Sequence, residues 1–465
     1  MLIENKTFDE LSVGDSSELK RLCTQDDMVI FANVSGNHNP MHLVDPDGEG
    51  PREPPAPSMF IASLISAVIG NVLPGAGTLY RSQTLHFCGR AHAGEELVSR
   101  VRVIGKDAAE GTVTLETEVR RAGDDALVTT GEAVVEAPRE KMSYDDRDLP
   151  GLVVQRHRHF EELLRRAEPL PPLPTAVVCP EEALSLGGAL LGMKHTLITP
   201  ILVGCADKIR ATAEEIGADL TDIEIVDEAD HAAAARRAVA LVHEGRAGGV
   251  MKGHLHTDQL LRPMVDREKG LRGDRRFTHV FVMDVPGLGH PLLVTDAAIN
   301  ISPDLRVKVD IVQNAIDVAR SIGIETPKVG VLSATENVNP DMPSSIDAAL
   351  LSKMADRGQI TGGLVEGPLA MDNAVDIGAA RTKGLKSPVA GHAEVLVAPD
   401  IDAANMLAKQ LTFISHAEGA GLVLGARVPV ILNSRSDDDM SRLASCAVAA
   451  LHHARITGKT AEDAE

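Results

Sequence analysis

Aromatic residues are scarce in this chain of 465 residues, and basic residues are fewer than acidic ones. Trp is absent, and aromatic residues make up 2% of the sequence. Because platforms that stack unpaired bases are built from aromatic side chains, this composition argues against a single-stranded nucleic-acid partner. The 46 Lys and Arg are outnumbered by 67 Asp and Glu, which gives a net charge of −21. A charge of that sign repels duplex nucleic acid and anionic membranes, so we expect small-molecule partners, no nucleic acid and no membrane.

Paired cysteines, a targeting pattern and long apolar runs are also missing from the sequence. The 5 cysteines are far apart and form no CxxC pair, which is typical of reduced thiols. The first residues lack the basic and then apolar pattern of a signal peptide, and no apolar run reaches the ~18 residues of a membrane span. We therefore expect a cytoplasmic protein, and its length predicts two or three domains of about 100–200 residues each.

The first part of the chain, residues 1–137, has the pattern of a helix covered by strands. Ser58 to Asn71 is apolar on nearly every face, so a helix formed there must be buried all round. Apolar and polar residues alternate from Thr112 to Val119, and a second strand is predicted from Ala126 to Glu136 after a turn. This order predicts an α+β domain with a curled antiparallel sheet around one helix.

The segment Phe31–His42 (Phe-Ala-Asn-Val-Ser-Gly-Asn-His-Asn-Pro-Met-His) precedes that helix, and its Gly, Asn and Pro predict a loop. It resembles the motif of the MaoC-like enoyl-CoA hydratases, a phenylalanine followed by Ser-Gly-Asp-x-Asn-Pro-x-His. The resemblance covers most of residues 5–137 and implies the hotdog fold, with Asn37 and His42 at the two catalytic positions. The family has aspartate where this chain has Asn37. Asparagine can orient a water molecule but cannot take its proton, and general-base help is typically worth ~10²–10⁴ in rate.

Residues 138–174 are predicted to join this domain to the rest of the chain. Gln155 to Ala167 has the pattern of a charged amphipathic helix, and the proline-rich run Pro169–Pro174 favours a stiff extended spacer. The domain boundary is therefore placed in this segment.

In residues 175–465, short apolar strands alternate with helical patterns of ten to fifteen residues. This alternation predicts a parallel, wound α/β sheet. Several of the strands are followed by polar segments, which we expect to meet at one end of the sheet, where such sheets bind their ligands.

One of these polar segments follows the predicted strand Val428–Leu432 and precedes the last predicted helix. It contains Ser434, Arg435 and the acidic run 437–439. An arginine there can hold a phosphate through two parallel hydrogen bonds, and a carboxylate beside it can act as a base. The alternative is an acidic N-cap that begins the helix, and the local pattern leaves both readings open.

Four motifs in this region occur in a characteristic order. They are Lys252–Thr257 (Lys-Gly-His-Leu-His-Thr), Thr295–Asn300 (Thr-Asp-Ala-Ala-Ile-Asn), Glu366–Ala374 (Glu-Gly-Pro-Leu-Ala-Met-Asp-Asn-Ala) and Asn433–Asp437 (Asn-Ser-Arg-Ser-Asp). Together they closely resemble the phosphate acetyltransferase and butyryltransferase family from about Thr175 onwards. The resemblance implies two α/β domains akin to isocitrate-type dehydrogenases, residues 175–277 with 421–465 and residues 278–420. It also implies exchange of an acyl group between coenzyme A and inorganic phosphate, with no permanently bound cofactor and no metal.

The resemblance also implies roles for individual residues. Ser434 would hydrogen-bond the thiol or a developing oxyanion, Arg435 and Arg262 would hold the phosphate, and Asp437 would be the base. Asp372 is a second candidate for the base, and the residues assigned to substrate binding are Lys252, Arg262, Asp296, Asn300, Asp372 and Asn373. For Asp296, Asn300 and Asn373 the alternative is a structural role, with side chains bonded to the loop backbone.

Three functions remain open on the sequence. The first is a bifunctional enoyl-CoA hydratase and phosphate acyltransferase acting on acetyl to butyryl groups. The second is an acyltransferase whose hotdog domain only binds acyl-CoA or supports assembly. The third is an NAD- and metal-dependent decarboxylating dehydrogenase, for which clustered aspartate ligands are not evident. A homo-oligomer is expected from the pairing typical of hotdog domains.

Overall fold

The protein is described by a computed structural model that covers residues 2–42, 54–145, 158–433 and 437–460. Its contacts divide the chain into two compact units, Met1–Val154 and Gln155–Glu465. Each unit is described separately below. Within the described residues, no helix combines the length and apolar character needed to cross a membrane.

The first unit is built mainly from strands. Its strands are β1 Leu2–Glu4, β2 Ser16–Leu22, β3 Leu79–Gln83, β4 His86–Phe87, β5 Glu96–Asp107, β6 Thr112–Arg121, β7 Leu127–Glu136 and β8 Ser143–Asp145. Its helices are α1 Gln25–Ser35 and α2 Ser58–Asn71, and short 3-10 turns lie at Phe8–Glu10 and Pro40–His42.

The large sheet of this unit is antiparallel and has the order β2-β5-β6-β7-β3, with β4 also paired to β7. Helix α2 contacts β2, β5 and β6. Seven of its residues are buried, and six of them form one core with the inward side chains of the strands. The predicted α+β arrangement of a buried helix against an antiparallel sheet is therefore confirmed.

The predicted loop at Phe31–His42 is wrong in its first half. Phe31 to Ser35 form the last turns of α1, and the helix ends at Gly36, whose φ is 70°. The Thr24 side chain accepts the Asp27 N–H, which fixes the start of α1 and lets it run into the motif. Glycine adopts this left-handed conformation without steric cost, so the loop begins only at Gly36.

The second unit alternates strands and helices, as predicted. Its strands are β9 Leu173–Val178, β10 Ile198–Gly204, β11 Glu224–Asp227, β12 Gly249–Lys252, β13 Thr278–Asp284, β14 Leu292–Thr295, β15 Lys328–Leu332, β16 Leu364–Leu369, β17 Val395–Val397, β18 Glu418–Leu424 and β19 Val430–Ile431. Its helices are α3 Arg158–Ala167, α4 Ala183–Lys194, α5 Ala206–Ile216, α6 His231–His243, α7 Thr257–Met264, α8 Leu305–Ser321, α9 Pro343–Asp356, α10 Met371–Val375, α11 Ile377–Thr382, α12 Ile401–Phe413 and α13 Asp439–Thr457.

All the strands of this unit form one sheet in the order β11-β10-β9-β12-β19-β18-β13-β14-β17-β15-β16. Strands β9 to β12 and β19 are parallel to their neighbours in that group, and so are β14 to β17. Between the groups, the pairs β19–β18, β18–β13 and β13–β14 are antiparallel. The two groups therefore run in opposite directions, and the predicted parallel sheet is wrong in this respect.

This reversal gives the sheet two different loop-bearing ends. We call the end where β9 to β12 and β19 finish the β12/β19 edge, and the end where β14 to β17 finish the β14 edge. The prediction that the polar segments meet at one end is therefore also wrong, because segments after β12 and β19 lie opposite the segment after β14. Apolar periodicity identifies a strand but contains no information about its direction.

Helices α3 and α13 both contribute to the core of this unit. Helix α13 contacts α3, α4, α8 and β18. Phe160, Leu163 and Leu164 of α3 are buried in the same core, so the charged helix predicted for the joining segment packs within the second unit. The main-chain N–H groups of His159 and Phe160 donate to the Asp284 carboxylate at 2.8 and 2.9 Å, which ties the start of α3 to the end of β13.

Candidate active site

The β12/β19 edge carries two of the predicted motifs on neighbouring strands. Strand β12 ends at Lys252 and pairs with β19 through Val250 with Val430 and Met251 with Ile431. The chain leaving β19 therefore starts next to Lys252. Ser434 and Arg435, which follow there, lie outside the described residues.

Asp437 and Asp438 lie beyond them at the start of α13. Asp438 is the N-cap, and its Oδ1 accepts the Ser441 N–H at 2.8 Å. The Asp437 carbonyl oxygen accepts the Arg442 Nε–H at 3.1 Å. The capping role predicted for the acidic run is thus confirmed at Asp438, and it leaves the side chain of Asp437 outside the cap.

A cavity of about 80 Å³ lies beside these two aspartates. Its wall combines the start of α13, the end of α12 and the start of β18, and the polar side chains that line it are Lys409, Thr412, Glu418, Asp437, Asp438 and Ser441. The cavity therefore brings a predicted base, Asp437, together with a carboxyl group that the motifs did not indicate, Glu418.

The pKa of the Glu418 carboxyl group is well above its ordinary value. Burial, and then the negative charges of Asp438, Asp284 and Glu161, raise its pKa from 4.5 to about 8. At neutral pH it is therefore mostly a neutral acid that can donate a hydrogen bond. In the sequence, the only signal for this role of Glu418 is that a charged residue stands at the start of an apolar strand.

Two further polar side chains of the sheet are buried: Asn433 follows β19 at this edge, and His279 is the second residue of β13. Asn433 is 5% exposed, and neither its Oδ1 nor its Nδ2 has a hydrogen-bond partner among the described residues. His279 is 1% exposed, and burial lowers the pKa of its imidazole to about 3. Buried amide groups are costly to leave without partners, so Asn433 is suited to a polar group at this edge.

Asp296 and Asn300 lie at the β14 edge, away from Lys252 and Asp437. The Asp296 carboxylate accepts the main-chain N–H groups of Ala298 and Ile299 at 3.1 and 3.0 Å, and the Asn300 Nδ2–H at 2.6 Å. Asn300 Nδ2 also donates to the Phe277 carbonyl oxygen at 2.9 Å. These bonds correspond to the structural alternative for both residues, and their role in substrate binding stays a prediction.

The other predicted binding residues are in different surroundings. Arg262 is exposed on α7, with no hydrogen-bond or ion-pair partner among the described residues. Asp372 is exposed at the start of α10. Asn373 beside it is fully buried; its Nδ2 donates to Glu336 Oε2 at 3.3 Å, while its Oδ1 has no partner in the described part of the chain. The structure thus does not gather all predicted residues in one place.

In the described ranges, one group of side chains has potential metal-ligand atoms close enough together to hold an ion. It consists of Cys179, Glu181 and His231, whose ligand atoms lie within 4.8 Å of one another. The Glu181 carboxylate already accepts hydrogen bonds from Lys208 Nζ and His231 Nε2, both at 3.1 Å. Burial raises the pKa of the Cys179 thiol to about 12, which disfavours the thiolate that a metal needs. Glu181, Lys208 and His231 form a hydrogen-bonded network beside the ends of β9 and β10.

In the first unit, Asn37 and His42 lie on the loop after α1. Asn37 is exposed, and its Oδ1 accepts the Asn39 N–H at 3.3 Å. His42 Nδ1 is 2.7 Å from the Pro55 carbonyl oxygen. Since a carbonyl oxygen can only accept, the hydrogen is on Nδ1, and in the neutral ring Nε2 is the nitrogen able to take a proton.

Comparisons with known proteins address both units. A family model described as phosphate acetyl/butaryl transferase matches residues 231–450. A phosphate acetyltransferase from Rhizobium meliloti is 57% identical over 296 residues, which are 64% of this chain and 94% of that protein. The structure of a branched-chain phosphotransacylase from Enterococcus faecalis V583 aligns with a TM-score of 0.53 and 32% identity, over 60% of this chain and 99% of that one. The structure of an (R)-hydratase from Pseudomonas aeruginosa aligns with a TM-score of 0.32 and 34% identity, over 33% of this chain and 100% of that one.

Proposed function

The chain belongs to the phosphate acetyl/butyryltransferase family, and from that premise we propose that its second unit exchanges a short acyl group between coenzyme A and inorganic phosphate. The observation that carries this proposal is the 57% identity to a phosphate acetyltransferase over 94% of that protein's length. The reaction needs a cation for the phosphate, hydrogen-bond donors for the oxyanion and a base for the thiol.

We assign these tasks to residues of the β12/β19 edge. Arg435 holds the phosphate through two hydrogen bonds, and Arg262 assists it. Ser434 donates to the oxyanion that forms when the acyl carbon is attacked, and Asp437 accepts the proton of the thiol. The cavity that Asp437 lines and the neighbouring end of β12 at Lys252 support this assignment.

Replacement of Ser434 or Arg435 by alanine tests the assignment. We expect each variant to form acyl phosphate at least ~10² more slowly, as when an oxyanion donor is removed. The assay measures acyl phosphate formed from acetyl-, propionyl- and butyryl-CoA with phosphate, and so also gives the acyl-chain preference. Arg357→Ala, an exposed arginine at the end of α9, is the control. Near wild-type rates in both site variants would refute the assignment.

We further propose that the first unit hydrates short enoyl-CoA, with His42 as the base. The supporting observation is the hydrogen bond from His42 Nδ1 to Pro55, since it leaves Nε2 as the proton acceptor. Asn37, at the position where the MaoC-like motif has aspartate, orients the water through its amide. The alternative, a unit that only binds acyl-CoA or supports assembly, predicts no turnover.

Hydration of crotonyl-CoA distinguishes these two functions. We expect measurable activity in the wild type, loss of activity in His42→Ala, and an increase of up to ~10²–10⁴ in Asn37→Asp, because aspartate restores general-base help. His38→Ala, an exposed histidine on the same loop, is the matched control. An inactive wild type would leave only the binding or assembly function.

Further features complete the proposal. The second unit divides into isocitrate-dehydrogenase-like domains, residues 175–277 with 421–465 and residues 278–420, and residues 1–137 form a hotdog domain. The protein is cytoplasmic and homo-oligomeric. It uses coenzyme A and phosphate as substrates, without a permanently bound cofactor. Sedimentation of the purified protein measures the oligomeric state.

A further inference from the structure

A second, larger cavity lies at the β14 edge, opposite the edge that carries the proposed acyltransfer residues. Its volume is about 830 Å³, within the usual range for sites that bind small molecules. The segment before β13 and the start of α8 form most of its wall. The charged residues that line it are Arg267, Arg272, Asp274, Arg275, Arg276, Asp304, Arg306 and Asp310.

Five arginines and three aspartates give this cavity an excess of positive charge, in a chain whose net charge is −21. Two of the arginines form hydrogen bonds within the chain. Arg275 Nη1 donates to Asp317 Oδ2 at 2.5 Å, and Arg272 Nε donates to the Val265 carbonyl oxygen at 2.5 Å. These contacts hold the wall of the cavity in place.

The guanidinium groups of the other three arginines form no hydrogen bond or ion pair with the described residues. Arg267, Arg276 and Arg306 are exposed, and none of their side chains has a hydrogen-bond or ion-pair partner in the part of the chain that the structure describes. They come from three places in the sequence, and each faces the same cavity.

None of the three aspartates that line the cavity forms an ion pair with these three arginines in the described part of the chain. Asp304 is the N-cap of α8 and accepts the Val307 N–H at 2.8 Å. Asp310 accepts the main-chain N–H of Arg276 at 3.1 Å. Asp274 also lines the cavity, and it is the remaining carboxylate there. Arg306 is the second residue of α8, where a positive side chain adds to the positive end of the helix instead of offsetting it.

We propose that this cavity binds a small molecule carrying adjacent phosphate groups, such as a nucleoside diphosphate. Each guanidinium group can hold a phosphate through two parallel hydrogen bonds, and three such groups suit a diphosphate better than a single phosphate. The volume leaves room for an attached nucleoside. The diphosphate has two possible sources, a free nucleotide or the nucleotide end of coenzyme A.

Titration calorimetry of the full chain with pyrophosphate and with ADP tests this site. We expect both to bind the wild type, and Arg306→Gln to weaken binding by about tenfold because charge-assisted hydrogen bonds are lost. The triple variant Arg267→Gln, Arg276→Gln, Arg306→Gln is expected to bind neither probe. Arg357→Gln, outside the cavity, is the control, and thermal unfolding verifies that each variant is folded. Equal binding by the wild type and the triple variant would overturn the proposal.

Coenzyme A as a competitor identifies the source of the diphosphate. If saturating coenzyme A prevents ADP binding and the triple variant has a raised KM for coenzyme A, the cavity holds the nucleotide end of the substrate. If ADP binds with unchanged affinity beside coenzyme A, the ligand is a free nucleotide. The binding measurements involve no turnover, so their outcome is independent of the proposed acyltransfer.

Discussion

Individual residues were predictable where their role depends on nearby sequence. The N-cap at Asp438 follows from an acidic residue directly before an apolar helical pattern, and it is confirmed. The pKa of Glu418 was not predictable, because it depends on burial and on Asp438, Asp284 and Glu161, which come from other elements. Ser434 and Arg435, which the motif assigns to the site, lie outside the described residues and stay predictions.

The raised pKa of Glu418 predicts a specific pH dependence of stability. Between pH 4.5 and about 8, the folded protein keeps a proton on Glu418 that the unfolded chain has released. The free energy of unfolding therefore falls as the pH rises through this window, and Glu418→Gln should remove that part of the decrease. Thermal unfolding of both proteins from pH 5 to pH 9 measures it. The variant should gain in Tm relative to the wild type as the pH rises.

Glu214→Gln is a suitable control for this prediction. Glu214 is an exposed glutamate on α5, so its replacement should give the same Tm difference at every pH. A constant difference between wild type and Glu418→Gln across the pH range would contradict the raised pKa.

Most elements were predictable from periodicity, and the errors occur at their ends. The bounds of α2 coincide with the predicted Ser58–Asn71, because its apolar pattern is continuous. The predicted strand Val428–Leu432 is shortened to Val430–Ile431 in the sheet. Helix α1 continues to Ser35 because its capping bonds outweigh the weak helix preference of the motif residues.

Gly187 on α4 is a site where a helix can be stabilised. A Cβ atom added there would meet no atom within 4 Å. Gly187→Ala should therefore raise the free energy of unfolding by about 0.5–1 kcal/mol, because alanine loses less backbone entropy than glycine on folding. Urea denaturation monitored by circular dichroism measures the change.

Gly192 on the same helix provides the comparison. Its added Cβ would lie 3.1 Å from Cys446 Sγ and 3.2 Å from Ile198 Cγ1. Gly192→Ala should gain less stability than Gly187→Ala, because these contacts must widen. An equal increase in the free energy of unfolding for both variants would show that the close contacts of Gly192 do not affect stability.

At the scale of the whole molecule, the order of elements was predictable but the direction of the strands was not. Helical and strand periods revealed an α+β part followed by an α/β part. The antiparallel pairs around β13 and β18 depend on contacts between segments far apart in sequence, such as Thr278 with Leu424. This is why the predicted residues of one site were found at two edges.

The two units have separate buried cores, which predicts separate effects of core substitutions. Leu115 belongs to the core of the first unit and Leu293 to a core of the second, and both are fully buried. Replacing either by alanine should cost about 2–5 kcal/mol. In scanning calorimetry, Leu115→Ala should lower the temperature of one transition and Leu293→Ala that of another. If either substitution shifted every transition equally, the cores would have to unfold together.

The strand reversal also affects how this enzyme can diverge in evolution. The seven paired residues of β13 and β18 separate the two loop-bearing edges by roughly 20 Å, at about 3.4 Å per residue. Insertions or deletions in the loops of one edge leave the strand register, and so the backbone of the other edge, in place. Independent mutations in descendants of this chain can therefore alter the proposed acyltransfer site at the β12/β19 edge and the proposed diphosphate site at the β14 edge.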